Sequence, residues 1–226
     1  MRVAALVSGG KDSVLALHCA QAAGWDVTHL VTVRPRALDS WMFHVPNTDL
    51  APLVAGAVGV PLVSVETQGE KEEELEDLER GLAGLDVDGF VSGALASEYQ
   101  RTRLERIGHR LGLKSFTPLW HKTPEQVLAT VAHDAWDVRF AAVAAEGLGE
   151  RWLGRRFTSE AVAELAALRE RHGLHVGGEG GEYESLVLDA PCYRRRIEVI
   201  EARAEWRRDG GVWRVEKARL APKASD

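Results

Sequence analysis

The sequence predicts an α/β protein built on a parallel sheet and followed by a smaller α+β part, and three features predict it. In the first half, short apolar runs alternate with longer helical patterns, which is how successive βαβ units read. The first apolar run ends at the pair Gly9-Gly10, where a helical pattern begins. After about residue 125 the alternation gives way to a looser mixture of helices and strands. With 226 residues the chain can bury a full core, as one large domain or one domain with a companion.

In chain order, strands are expected over residues 3–7, 27–33, 62–65, 89–92 and 115–119. The helix opening at Gly10 puts Leu15, Cys19 and Ala22 at i, i+4 and i+7, a core-facing stripe that makes Cys19 filler and not a nucleophile. Over residues 71–82, Leu75, Leu78 and Leu82 form one face and acidic side chains cover the others, as on a solvated helix. Over residues 98–111, Leu104, Ile107 and Leu111 make an apolar stripe, with Arg103, Arg106 and Arg110 in a second stripe at the same spacing. Those arginines could meet phosphates, or the helix could simply be hydrated with Arg101 and Glu105 paired at i, i+4. Thr123 is placed to cap a helix over 124–132, a strand covers 138–144, and another helix runs over Ser159–His172. Residues 196–221 read as a β-hairpin, turning at Asp209-Gly210-Gly211 between Trp206 and Trp213.

Several function classes are disfavoured by composition. Twenty-eight basic residues against 34 acidic ones give a formal charge of -6, which argues against binding nucleic acid directly through phosphate neutralisation. The two cysteines, Cys19 and Cys192, are far apart and form neither a disulfide framework nor a Cys-x-x-Cys site, so a reducing cytoplasm is expected. No window reaches the roughly 18 uninterrupted apolar residues of a membrane span, and the N-terminus lacks the pattern of a signal peptide.

The segment Ser8-Gly9-Gly10-Lys11-Asp12-Ser13 joins a strand to a helix N-terminus. There, unpaired backbone N–H groups and the positive end of the helix dipole converge, as an anionic phosphate requires. Glycines allow positive φ and close ligand approach, Lys11 adds charge, and Ser8 and Ser13 add hydroxyls. A Walker A loop would need glycine where Ala5 stands and Ser or Thr where Asp12 stands, and the dinucleotide fingerprint lacks its third glycine. Asp12 could ligate a magnesium ion on the phosphates, or could only cap the helix. What the hexapeptide resembles is the Ser-Gly-Gly-x-Asp-Ser loop of the PP-loop ATP pyrophosphatases, which cleave ATP between its α- and β-phosphorus atoms.

Three further segments narrow that resemblance. They are Ser40-Trp41-Met42-Phe43-His44-Val45-Pro46-Asn47, Ser92-Gly93-Ala94-Leu95-Ala96-Ser97-Glu98-Tyr99-Gln100-Arg101-Thr102-Arg103, and Gly178-Glu179-Gly180-Gly181-Glu182-Tyr183-Glu184-Ser185. With the phosphate loop, Pro118-Leu119-Trp120 and Leu188-Asp189-Ala190-Pro191, their order and spacing closely resemble the diphthine-ammonia ligase family, from Met1 to about Ile197. The resemblance implies amidation of the diphthine residue of translation elongation factor 2 by ammonium, with ATP going to AMP and pyrophosphate through an acyl-adenylate. It also implies an adenine nucleotide hydrolase type of α/β domain, here 1–125, and a substrate-cleft domain, here 126–226.

On that basis Ser8, Gly9, Gly10, Lys11, Asp12, Ser13 and Arg103 are candidates for holding ATP, with Asp12 on magnesium. Lys11, Asp12, His44, Arg101 and Glu182 are candidates for the chemistry. His44, Asn47, Glu98, Tyr99, Gln100, Glu179, Tyr183 and Glu184 are candidates for the protein substrate. His44 could serve as a base for ammonium near neutral pH, or be structural. The glycine-rich and acidic segment 178–185 reads as a shaped loop. Its carboxylates could bind metal, or could form a cage for the trimethylammonium group of diphthine with Tyr183, Trp41 or Phe43. A PP-loop enzyme acting on tRNA or a small carboxylic acid, and a nucleotide sensor without catalysis, are the competing readings.

Overall fold

The computed structural model describes residues 1–35, 47–67, 71–95 and 98–223. Five parallel strands form the first sheet in the order β3-β2-β1-β4-β5: β1 (Arg2–Leu6), β2 (Asp26–Pro35), β3 (Leu62–Thr67), β4 (Gly89–Val91) and β5 (Lys114–Phe116). Val3, Ala4 and Ala5 are all buried on the central strand, and strands covered on both faces carry such unbroken apolar runs. The chain winds from β1 out to β3, then crosses to β4 on the other side of β1, so the order reverses beside β1.

The connecting helices are α1 (Lys11–Ala22), α2 (Ala51–Val58), α3 (Lys71–Ala83) and α4 (Glu98–Leu111). The sequence pattern did not single out α2. Leu78, Leu82, Leu104 and Ile107 of α3 and α4 pack with Ala4, Val31 and Phe90 of the sheet, as their spacing predicts. The stripe expected on α1 is only part of its buried surface: Val14, Leu15, Ala16, Leu17 and Ala20 are buried, Cys19 is half-buried and Ala22 is exposed. The reason is that α1 touches β1 and β2 of the first sheet and also β7 and α5 of the second half.

That second half holds α5 (Pro124–Val131), β6 (Asp137–Val143), α6 (Ser159–His172), β7 (Tyr183–Asp189), β8 (Arg196–Arg207) and β9 (Gly210–Ala221). Its antiparallel sheet has the order β7-β6-β9-β8. Thr123 and Gln126 form a reciprocal capping box at the start of α5. The hairpin turns at Arg208 and Asp209, one step ahead of the expected Asp209-Gly210-Gly211. Strand β7 starts at Tyr183, so the loop expected over 178–185 ends at Glu182, and Tyr183, Glu184 and Ser185 belong to a strand. Phe140, Trp152, Phe157, Tyr183 and Leu186 share one core with Val14, Leu17 and Leu30 of the first half.

The long hairpin also clasps the first half. Asn47 takes positive φ, its Nδ2 donates to the carbonyl of Trp213 at 3.0 Å, and its Oδ1 accepts from the N–H of Val215 at 2.9 Å. Replacing Asn47 by alanine leaves two β9 backbone groups unpaired and strains a left-handed residue, for a loss of about 1–3 kcal/mol in denaturant unfolding. An unchanged unfolding midpoint would contradict this role.

Candidate active site

The phosphate loop is a closed ring of hydrogen bonds at the end of β1. Gly9 has φ +85°, a conformation that glycine enters without strain, and Gly10 caps α1 without a side chain. Ser13 Oγ accepts from the N–H of Ser8 at 3.2 Å and donates to the carbonyl of Gly10 at 3.0 Å. Ser8 Oγ accepts from the N–H of Gly10 at 3.4 Å and lies 3.3 Å from Ser13 Oγ. Gly93, after β4, lies so close that a Cβ there would come within 2.6–2.8 Å of the backbone of Asp12 and Ser13. The loop is therefore shaped by its own hydroxyls and by the backbone of β4's exit.

On its other side the loop is fastened to β7. The N–H of Val187 donates to the carbonyl of Gly9 at 2.9 Å, and the N–H of Lys11 donates to Ser185 Oγ at 3.0 Å. The Lys11 side chain, 4% exposed, points into this joint and does not line the adjoining cleft. Its ammonium donates to the carbonyl of Gly177 at 2.6 Å and to Asp12 Oδ2 at 2.8 Å, and lies 5.3 Å above the Tyr183 ring. Tyr183 is buried, donates its hydroxyl to the carbonyl of Val176 at 2.6 Å, and is held well above the usual phenol range by burial and by Asp12.

A cleft of about 740 Å³ opens beyond the carboxyl ends of β1, β2 and β4, beside the strand where the order reverses. Ligands of open α/β sheets bind at such a reversal. Leu6, Val31, Val33, Leu75, Leu78 and Leu104 supply apolar surface suited to a purine, and Ser8, Asp12, Ser13, Ser92, Arg103 and Glu179 supply polar groups. Two buried polar atoms on this wall, Asp12 Oδ1 and Ser92 Oγ, have no hydrogen-bond partner. Buried polar atoms are rarely left so, and both atoms fit a bound phosphate with its cation. Asp12 Oδ1 in particular suits magnesium, which takes one or two carboxylates and completes its shell with phosphate oxygens and water. Among the described residues no three His, Cys, Asp or Glu side chains form a metal cluster of their own.

The remaining candidates divide by position. Arg103 lines the cleft. Arg101 instead pairs with Glu98 and Glu105 and lies 5.1 Å over the Trp120 ring. Glu98 is held below the usual carboxylate range by the hydrogen bond from Arg101. Glu182 braces the loop before β7 by accepting from the N–H groups of His175 and Gly180 at 3.0 and 2.9 Å. Glu179 and Glu184 are both raised above the usual range, first by desolvation; Asp12 adds to both shifts and Lys11 opposes them. Asn47 engages its side chain on β9 as described above. Trp41, Phe43 and His44, like Ser97, lie outside the described residues, as do the side chains of Tyr99 and Gln100. Burial raises the thiols of Cys19 and Cys192, the latter to about 12, which fits inert packing for both.

Sequence reasoning gave no role to Ser92, Gly93, Ser185 or Val187. The signal for the first two was their place at the carboxyl end of a predicted strand. Ser185 closes a quoted motif segment, but its contact with Lys11, like that of Val187 with Gly9, joins distant segments and no local pattern announces it.

The fold and the site define a class: a doubly wound nucleotide-binding domain with a PP-loop of the ATP-pyrophosphatase type. Residues 1–115 match the diphthamide synthase N-terminal domain and residues 123–221 match the diphthamide synthase C-terminal domain, so the chain belongs to the diphthamide synthase family. It is 36% identical over 227 residues to diphthine-ammonia ligase of Schizosaccharomyces pombe, covering 89% of this chain and 37% of that protein. The enzyme of the same name from Danio rerio is 34% identical, with 89% and 87% covered, and that from Homo sapiens 33%, with 88% and 83% covered. The chain thus spans little more than a third of the yeast protein and most of the two vertebrate ones. A predicted subunit of tRNA methyltransferase from Methanocaldococcus jannaschii superposes with a TM-score of 0.43 at 18% identity, over 81% of this chain and 95% of that one, a likeness too loose to bear on substrate.

Replacing Ser92 by alanine removes a buried hydroxyl that has no hydrogen-bond partner within the protein. We expect unchanged or slightly higher thermal stability together with about fivefold weaker ATP binding, the worth of about one hydrogen bond. A clear loss of stability with unchanged ATP affinity would show that Ser92 serves the fold instead.

Proposed function

We propose that this chain is an ATP-dependent ligase that converts diphthine on translation elongation factor 2 to diphthamide, using ammonium and releasing AMP and pyrophosphate. The observation that carries the reading is the joint between the phosphate loop and β7. It brings the segment that resembles the substrate-side motif of the family, Gly178 to Ser185, against the loop suited to ATP. Phosphate activation and carboxylate capture thus have adjoining surfaces.

The diphthine carboxylate attacks the α-phosphorus, forming a carboxyl-phosphate anhydride while the bond to the β-phosphate oxygen breaks and pyrophosphate leaves. Negative charge grows on the leaving group, and preorganised N–H donors at the start of α1, with the helix dipole, stabilise it. Arg103 adds positive charge from the cleft wall, and Ser92 Oγ can donate a hydrogen bond. Magnesium, when held by Asp12 Oδ1, supplies further neutralisation of the phosphates. Ammonia then attacks the carbonyl carbon, and AMP departs.

Tyr183 has no open face for an aromatic cage, because it is buried with Lys11 over its ring. Glu184 is exposed, and its carboxylate suits the trimethylammonium group of diphthine, for which Trp41 or Phe43 would be the aromatic partner. Among the described residues no helix is long and apolar enough to cross a membrane. The charge of -6 fits an enzyme whose partner is a protein and not naked nucleic acid, and a cytoplasmic location belongs to the same reading.

The full chain, incubated with magnesium-ATP, ammonium and diphthine-bearing elongation factor 2, should release one AMP for each carboxyl converted to amide, read by nucleotide chromatography and protein mass. ATP binding without AMP or amide would overturn the ligase reading in favour of another PP-loop substrate or a sensor.

A further inference from the structure

We propose that Glu179 is a catalytic residue of the second half-reaction, holding the incoming ammonium and taking the proton that makes it a nucleophile. The inference rests on the ligase reading above and concerns the ammonia step, for which the sequence offered His44, a residue outside the described ones.

Position comes first. Among the described residues, Glu179 is the one side chain from the second half of the protein that lines the cleft, where it shares the wall with Asp12, Ser13 and Ser92. The turn that carries it is fixed from several directions. Gly178 and Gly181, at φ +76° and +86°, bracket the tip. The N–H of Gly178 donates to the carbonyl of His175 at 2.9 Å, and the N–H of Glu179 to His175 Nδ1 at 3.3 Å. Glu182 ties down the N–H groups of His175 and Gly180, and the Lys11 ammonium holds the carbonyl of Gly177. The turn is thus positioned against the phosphate loop itself, which is the accuracy that proton transfer needs.

The neighbouring carboxylates are otherwise engaged or placed. Asp12 Oδ2 pairs with Lys11, Glu182 braces the turn, and Glu184 does not line the cleft. The carboxylate of Glu179 accepts no hydrogen bond from any described residue, so its lone pairs are open to a small cation. The charged groups around it are Asp12, Lys11, His175 and Glu182, together with Glu184, which feels its charge. A carboxylate fixed on the cleft wall with open lone pairs is a suitable acceptor for a proton of ammonium.

The step balances as follows. Ammonium gives one proton to the Glu179 carboxylate, leaving neutral ammonia in the cleft. The nitrogen lone pair forms the C–N bond at the anhydride carbonyl. As the tetrahedral adduct collapses, the bond from carbon to the phosphate oxygen breaks and AMP leaves with that electron pair. The adduct nitrogen sheds its second proton to water. Glu179 is exposed, so it returns its own proton to solvent and is ready for the next turnover.

Hydroxylamine tests this directly, because it is neutral near pH 7 and attacks without prior deprotonation. In the wild-type chain, diphthine-bearing substrate should yield amide with ammonium and hydroxamate with hydroxylamine. Glu179→Gln should lose about 100-fold or more in the ammonium reaction at pH 7, keep hydroxamate formation and ATP-pyrophosphate exchange within about threefold of wild type, and regain amide formation as pH rises and free ammonia accumulates. Glu179→Asp should recover part of the ammonium activity. Equal losses with both nucleophiles, or no loss with either, would overturn the assignment. A wild-type chain giving neither product would instead remove the ligase reading on which it rests.

Discussion

A buried lysine holds this molecule together at the point where chemistry is expected. Lys11 leaves the phosphate loop, reaches the carbonyl of Gly177 and shares its charge with Asp12. An ammonium with so little exposure is tolerable only when its donors are satisfied, and removing one partner of such a pair generally costs about 3–5 kcal/mol. Because the same residue begins α1, the satisfied charge fixes three things together: the start of the helix, the orientation of Asp12, and the height of the turn that carries Glu179. The backbone bond between Val187 and Gly9 and the Ser185 hydroxyl on the N–H of Lys11 hold the same joint from the strand side.

This joint explains which parts of the fold could be read in the chain. The parallel strands were legible because β1 to β4 carry short apolar runs between turns and β5 follows the α4 pattern, and α3, α4 and α6 because their spacing or caps are local. The second face of α1 was hidden, since α1 packs against β7 and α5 as well as β1 and β2, and β7 and α5 lie about a hundred residues or more further along the chain. Strand β7 was hidden for a related reason. Its Glu184 and Ser185 look like loop chemistry, yet they lie on a strand between buried Tyr183 and Leu186. Two adjacent polar residues at the start of a strand break the period-2 pattern by which a strand is read.

The site was legible in part for the same physical reasons. Ser8 to Ser13 could be recognised because the need for glycine, hydroxyl and helix N-terminus is local. The direction of the Lys11 side chain could not, because sequence places a charge near phosphate without saying which wall it faces. Two arginines two residues apart on α4 diverge by about 200° around the helix. Arg103 enters the cleft wall, whereas Arg101 settles on Trp120, Glu98 and Glu105. Asn47 looked like a substrate group and turned out to hold β9, a contact across 166 residues of sequence.

If the Lys11 joint couples the two halves of the site, occupancy of one half must be felt in the other. Amide hydrogen exchange of the full chain, with and without magnesium-ATP, measures this most directly. The account predicts that nucleotide protects residues 8–14 and, to a comparable degree, residues 177–187, and that Lys11→Met abolishes the second protection while leaving measurable nucleotide binding. Protection confined to 8–14 in the wild-type chain would contradict it.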